Sequence, residues 1–287
     1  MASSTRSGSA RMLVACALIL FAVQAVPSAV LRAEETKAAK LSFALPEGTL
    51  LHYKDFVQTD QNYSGTDATM NQTSDVDMSF LAKADSTGNS KIGLTFLKVK
   101  SSLVMNGTLQ QWEPPIKLEG VQIKVTVSPA AEVVHLDMPR NVVGLKNADD
   151  LRDIVEAWFV GLPDTTVAVG QTWKKQIVEG KTEGAEPEIK GVGVFTLKKV
   201  ETRGTIQIAF VEGKANLKIN KETPAGVLVA DGTVDLKAQI AVPGGYVVEL
   251  KQNLEIRGNA VAKDPLTDKE TKHQTALTRT TEIKLQQ

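Results

Sequence analysis

Histidine, cysteine and paired carboxylates carry most protein chemistry, and this chain is poor in the first two. Its histidines are His52, His135 and His273, and its one cysteine is Cys16. No two histidines have a metal-binding spacing such as HExxH. His135 alternates with Val133 and Asp137 on the side of a strand that should be wet. His273 lies near a lysine-rich turn and reads as solvated. His52 precedes Tyr53 in the first strand, on a face that the pattern leaves open. Carboxylates are plentiful, but each group has a plain reading. Asp149, Asp150 and Asp153 suit the first turns of a helix, and Asp75 and Asp77 flank Val76 on a solvated strand face. A glycosidase pair cannot be picked from sequence, because its members usually lie on separate strands. There is no Gly-x-Ser-x-Gly elbow, phosphate loop or dinucleotide fingerprint, and Gly191-Val192-Gly193 lacks the third glycine. The expectation is no catalytic residue, no metal site and no cofactor.

Arg279 is the most unusual side chain. Thr275, Leu277, Thr281, Ile283 and Leu285 share its face in the last strand, so it should point inward. Such an arginine either holds an anionic head group or blunts an exposed sheet edge with an inward charge. It is the candidate ligand-binding residue.

Residues 1–33 have the form of an export signal. Arg6 and Arg11 precede an apolar run from Met12 to Val26, and Ala25 and Ala33 end candidate cleavage sites. The run is short for a membrane span, which needs about 20 residues. No other long apolar stretch follows, so no transmembrane span is expected in the mature chain, which should be soluble in the periplasm or outside the cell. Cys16 ends a short lipobox-like pattern, but the residues after it stay apolar where a lipoprotein turns polar. Otherwise Cys16 leaves with the signal, and disulfides and thiolate chemistry leave with it. The formal charge of zero also changes on cleavage. The leader holds three arginines and no acid, so 30 basic residues remain against 33 acidic ones, a net of −3. A mildly acidic chain without a basic block is a poor partner for nucleic acid.

After a polar linker, 34–40, period-two alternation dominates. Val121, Ile123, Val125 and Val127 face one way; Ile206, Ile208 and Phe210 do the same, as do Tyr246, Val248, Leu250, Leu254 and Ile256. One buried face and one wet face indicate antiparallel sheet. Pro243-Gly244-Gly245 marks a tight corner, and Pro129-Ala130-Ala131 is its counterpart. The two corners also align when the chain is shifted by 114 positions. That shift places Ile92, Phe96, Lys100, Leu103 and Asn106 on Ile206, Phe210, Lys214, Leu217 and Asn220. This suggests a duplication; two unrelated strand segments with a common rhythm are the alternative. One segment breaks the rhythm: Leu151, Ile154, Val155, Trp158 and Phe159 have helical spacing, and Gly161 and Pro163 end it. The expected fold is mostly β: two tandem curved antiparallel sheets, half-barrel-like, over 41–146 and 162–287, joined by one amphipathic helix at 147–161. Trp158 should be buried where that helix meets a sheet.

Leu162-Pro163-Asp164, followed by Val169-Gly170-Gln171-Thr172-Trp173, resembles the signature of an uncharacterised family of exported bacterial envelope proteins. The family pattern has an acid where this chain has Gln171. No activity and no catalytic residue follow from the resemblance. It implies an architecture similar to the open half-barrel sheets of lipoprotein carriers. Pro163, Gly170 and Trp173 are expected to be structural: a helix stop, a turn, and a ring packed under the next sheet.

These readings converge on an exported, non-enzymatic binding module whose concave sheet face takes a lipid or other apolar ligand. The alternative is a structural or interaction protein of the cell envelope, with a protein partner and no small ligand. A hydrolase is the minor alternative.

Overall fold

The computed structural model describes residues 38–63, 69–84, 88–114, 116–137, 139, 142–145, 151–152, 155–156, 159, 161–179, 188–223, 226–263 and 270–286. These residues form fourteen strands: β1 (Ala38–Leu41), β2 (Leu50–Tyr63), β3 (Thr69–Ala84), β4 (Ser90–Met105), β5 (Thr108–Gln110), β6 (Gln122–Val127), β7 (Val133–Asp137), β8 (Thr165–Ala168), β9 (Thr172–Glu179), β10 (Ile189–Arg203), β11 (Ile206–Thr223), β12 (Gly226–Val242), β13 (Tyr246–Lys263) and β14 (Glu270–Leu285). The protein is mostly β and its ladders are antiparallel.

The two expected sheets are one. Twelve strands run in the order β7-β6-β4-β3-β2-β14-β13-β12-β11-β10-β9, with β5 on β4. The joint is the β14–β2 ladder, from Thr275 opposite Tyr63 to Leu285 opposite Tyr53. A C-terminal strand of sixteen residues has one row of free backbone groups left after pairing β13, and β2 satisfies it. The expected half-barrel curl is also absent: the sheet is neither closed nor strongly curled. Of the connecting segment, Leu151, Arg152, Val155 and Glu156 have helical backbone, and the first and third are fully buried. Phe159 and Gly161, expected to end that helix, are described but not helical; its other residues, Trp158 included, lie outside the described residues, as do the leader and Cys16.

The alternation read from sequence decides which face is wet. Outward residues of β11 to β14 meet as opposite charges in register: Lys214 is 2.9 Å from Asp235 and Lys251 is 2.8 Å from Glu282, and Lys218 pairs Asp231. The ladders shift register at Asp77/Met78, Thr126/Val127, Leu197/Lys199 and Gln239/Ile240, and two of these shifts overturn the simple alternation. Val247 was expected on the wet face, yet it is fully buried. The register shifts there, with Ile240 opposite Val247 but Gln239 opposite Glu249, so one extra residue turns Val247 inward. A similar shift at Thr126/Val127 leaves Val133 buried and His135 exposed.

The inner face carries two apolar clusters. The larger runs across the sheet from Ile123 on β6 to Leu197 on β10 and includes its cover: the β1–β8 ribbon, Phe43, Leu151, Val155 and Leu162. Residues 42–45 are tied to both corners, since Phe43 N donates to Pro129 O (2.8 Å) and Ala44 N to Gly244 O (3.1 Å). Gly245 makes that approach possible. Its φ is +68°, and a Cβ there would lie 2.2 Å from Ser42 O. The smaller cluster, including Ile189, Leu217, Leu254, Ile256 and Leu277, lies further along β10 to β14.

Candidate ligand cavity

A cavity of about 480 Å³ opens where the larger cluster gives way to the smaller. Its apolar lining includes Val133, Phe159, Ile177, Phe195, Ala215, Leu217, Val234 and Leu236. The ladders place these side chains. Trp173, Phe195, Gly213, Leu236 and Gln252 form one row across β9 to β13, and Lys175, Gly193, Ala215, Val234 and Leu254 form the next. Glycine thins the wall. A Cβ at Gly193 would lie 2.7 Å from the Phe195 ring, and one at Gly213 would lie 2.6 Å from it. The Phe195 ring therefore occupies the space of two missing side chains and stacks on Trp173, with centroids 5.7 Å apart.

Contacts at the cavity's more exposed side link β9 and the segment before it to the loop before β7. Lys175 of β9 pairs with Glu132, which precedes β7, and Leu162 N donates to Ala130 O (2.9 Å). The lysine stem crosses Gly161, where a Cβ would come within 2.5 Å of it. Partial burial lowers the Lys175 pKa from its ordinary value. At the other end Gln252 is 3% exposed, and its Oε1 has no hydrogen-bond partner among the described residues.

Beyond Gln252 the inner face is mixed, with polar side chains among apolar ones such as Leu277 and Ile283. Asp55, Thr59 and Gln61 of β2 and Thr275, Arg279 and Thr281 of β14 are all buried. Burial pushes the Asp55 carboxyl up to about 7; Arg279 opposes that shift and Asp75 adds to it. Arg279 is inward, as its pattern indicated, but β14 is not an edge. It lies between β13 and β2, with Arg279 opposite Leu254 and Thr59, so the edge-blunting explanation is withdrawn. Arg279 does not line the cavity.

Pro163 is half-buried, and the Asp164 carboxylate after it accepts from Ser42 Oγ (2.6 Å). Gly170, at φ +86°, makes the turn between β8 and β9, and its N–H donates to Leu197 O (2.7 Å). Trp173 Nε1 donates to Gly161 O (3.3 Å). His52 is exposed, His135 is exposed beside Asp137 at 2.9 Å, and His273, expected to be solvated near a turn, is half-buried in β14. None of the three lines the cavity. No group of three His, Cys, Asp or Glu among the described residues could hold a metal ion. No helix among them is long and apolar enough to cross a membrane.

Asp55 and Gln252 were both missed by the sequence reading, though each leaves a signal. Asp55 sits in register with Leu51, Tyr53 and Val57, and Gln252 fills the gap between Leu250 and Leu254 in an otherwise apolar alternation.

No family model and no curated protein matches the chain. Among solved structures it is similar to lipovitellin, in a study of lipid–protein interactions in that protein, at 9% identity and a TM-score of 0.45. The match covers 84% of this chain and 25% of that one. At that level the likeness bears on neither ligand nor mechanism.

Proposed function

We propose that the chain is an exported, non-enzymatic binding module that holds an apolar or lipid-like ligand in the cavity on its inner sheet face. The observation that carries this reading is the cavity: about 480 Å³, within the range of roughly 300–1,000 Å³ common for small-ligand sites. Its apolar wall is mostly aliphatic, with the rings of Phe159 and Phe195. Export rests on the leader, and the absence of catalysis on the sparse histidines and the lack of a mature thiol. The resemblance of the Leu162–Trp173 segment to envelope proteins fits the same location.

Val234 faces the cavity from β12, so Val234→Trp should fill it. Val229 is 53% exposed on the same strand, and Val229→Trp is the control. Nile red titrated into the full chain should bind at least tenfold more weakly to Val234→Trp than to wild type, and equally well to the control. Unchanged dye binding by Val234→Trp would remove the cavity from the argument.

A further inference from the structure

We infer that the cavity takes a single-chain amphiphile whose uncharged, hydrogen-bonding head group is buried against Gln252, with the chain running back towards the β9 edge. This rests on the cavity reading above and adds the ligand's chemical class and orientation. The charged side chains in the lining are already matched. Lys175 pairs with Glu132 and Glu156 lies 2.6 Å from Arg152, while the Lys214 side chain points to the outer face, 2.9 Å from Asp235. Gln252 is the exception: it lines the cavity, is 3% exposed, and keeps an unpartnered Oε1 among the described residues.

A hydrocarbon end placed there would leave a buried acceptor without a donor, which is unfavourable. A hydroxyl supplies the donor and can accept from the amide Nε2 in return. A charged head would lose its water beside Gln252, which is buried, whereas the ion pair of the lining, Lys175 with Glu132, is partly solvated at 26% and 53% exposure. From Lys175 on β9 to Gln252 on β13 there are four ladder steps, about 19 Å at roughly 4.8 Å each. That length suits an extended alkyl chain more than a compact ring system.

The test is displacement of Nile red from the full chain by lauryl alcohol, dodecane and ionised lauric acid, in wild type and in Gln252→Leu. Replacing an orphaned acceptor by an apolar group of similar size is nearly neutral for folding, and Gln252→Met serves if the leucine variant does not fold. Dividing each affinity by that of dodecane cancels the contribution of the chain. The alcohol-to-dodecane ratio should fall about tenfold in Gln252→Leu, the effect of roughly one buried hydrogen bond and its orphaned partner. An unchanged ratio overturns the head-group assignment and leaves the cavity standing. A larger fall for lauric acid than for the alcohol overturns it in favour of a charged head. If none of the three displaces the dye, or Val234→Trp binds them as wild type does, the cavity reading fails and this inference fails with it.

Discussion

Asp55→Asn should stabilise the protein at about pH 8 by roughly 2–4 kcal/mol, and should leave it nearly unchanged at about pH 4. The carboxyl is buried to 3% exposure and its pKa is raised from 3.8 to about 7. Burial is the main cause, because a charge loses its water there. The Arg279 guanidinium recovers part of that loss, and Asp75 works against it. The sign follows from proton binding. Between 3.8 and about 7 the folded state keeps the Asp55 proton and the unfolded chain has released it. Stability is therefore highest below this window, falls as pH rises through it, and levels off above about 7. Glu201 and Glu282 have lowered pKa values and act oppositely, losing stability only as pH falls below the ordinary 4.5. The difference between wild type and Asp55→Asn isolates the buried group from them. Urea midpoints measured across that range decide the matter, and parallel pH profiles for the two proteins would show that Asp55 titrates normally.

What the sequence made legible follows from how far each signal reaches. Period two is local, so the strands, their wet faces and the Pro243 corner could be read from the residues themselves. Which strand pairs which is not local. Nothing in Glu270–Leu285 announces that β14 will pair β2, more than two hundred residues away, and that ladder is what turns two expected sheets into one. The bulges at Gln239/Ile240 and Thr126/Val127 were equally hidden, since each depends on the partner strand as much as on its own residues. The 114-position repeat lands on β4, β6 and β7 in one half and on β11, β12 and β13 in the other, bonded in that order in both. An antiparallel meander gives the same order without duplication. The candidate site was least legible. Its polar member, Gln252, is one residue in an apolar alternation, and it gains meaning only once the row Trp173, Phe195, Gly213, Leu236, Gln252 is assembled from five strands.

Two glycines that flank Leu217 of that wall give the second large effect. Gly191→Ala is expected to cost about 3 kcal/mol or more, while Gly232→Ala should stay within about 1 kcal/mol of wild type. Both are strand glycines, and both have Leu217 of β11 as their ladder partner. Propensity alone favours alanine at each, because glycine has the more disordered unfolded state. The difference is what a Cβ would meet. At Gly191 it would lie 2.2 Å from the Asn216 backbone oxygen and 2.8 Å from Leu217 Cδ2, whereas at Gly232 the nearest atom is 3.3 Å away. A side chain can swing aside, but a carbonyl oxygen in a ladder can move only with its strand. An alanine at 191 must therefore part β10 from β11 beside Gly193 and Gly213, the two positions over which the Phe195 ring lies. Denaturant midpoints give the stability change, and Nile red titration of the folded fraction reads the cavity at the same time. Gly191→Ala should lose both stability and dye affinity, and Gly232→Ala should lose neither. Equal midpoints for the two variants would mean that β10 and β11 do not approach as closely as this geometry requires, and the wall of the cavity would have to be redrawn.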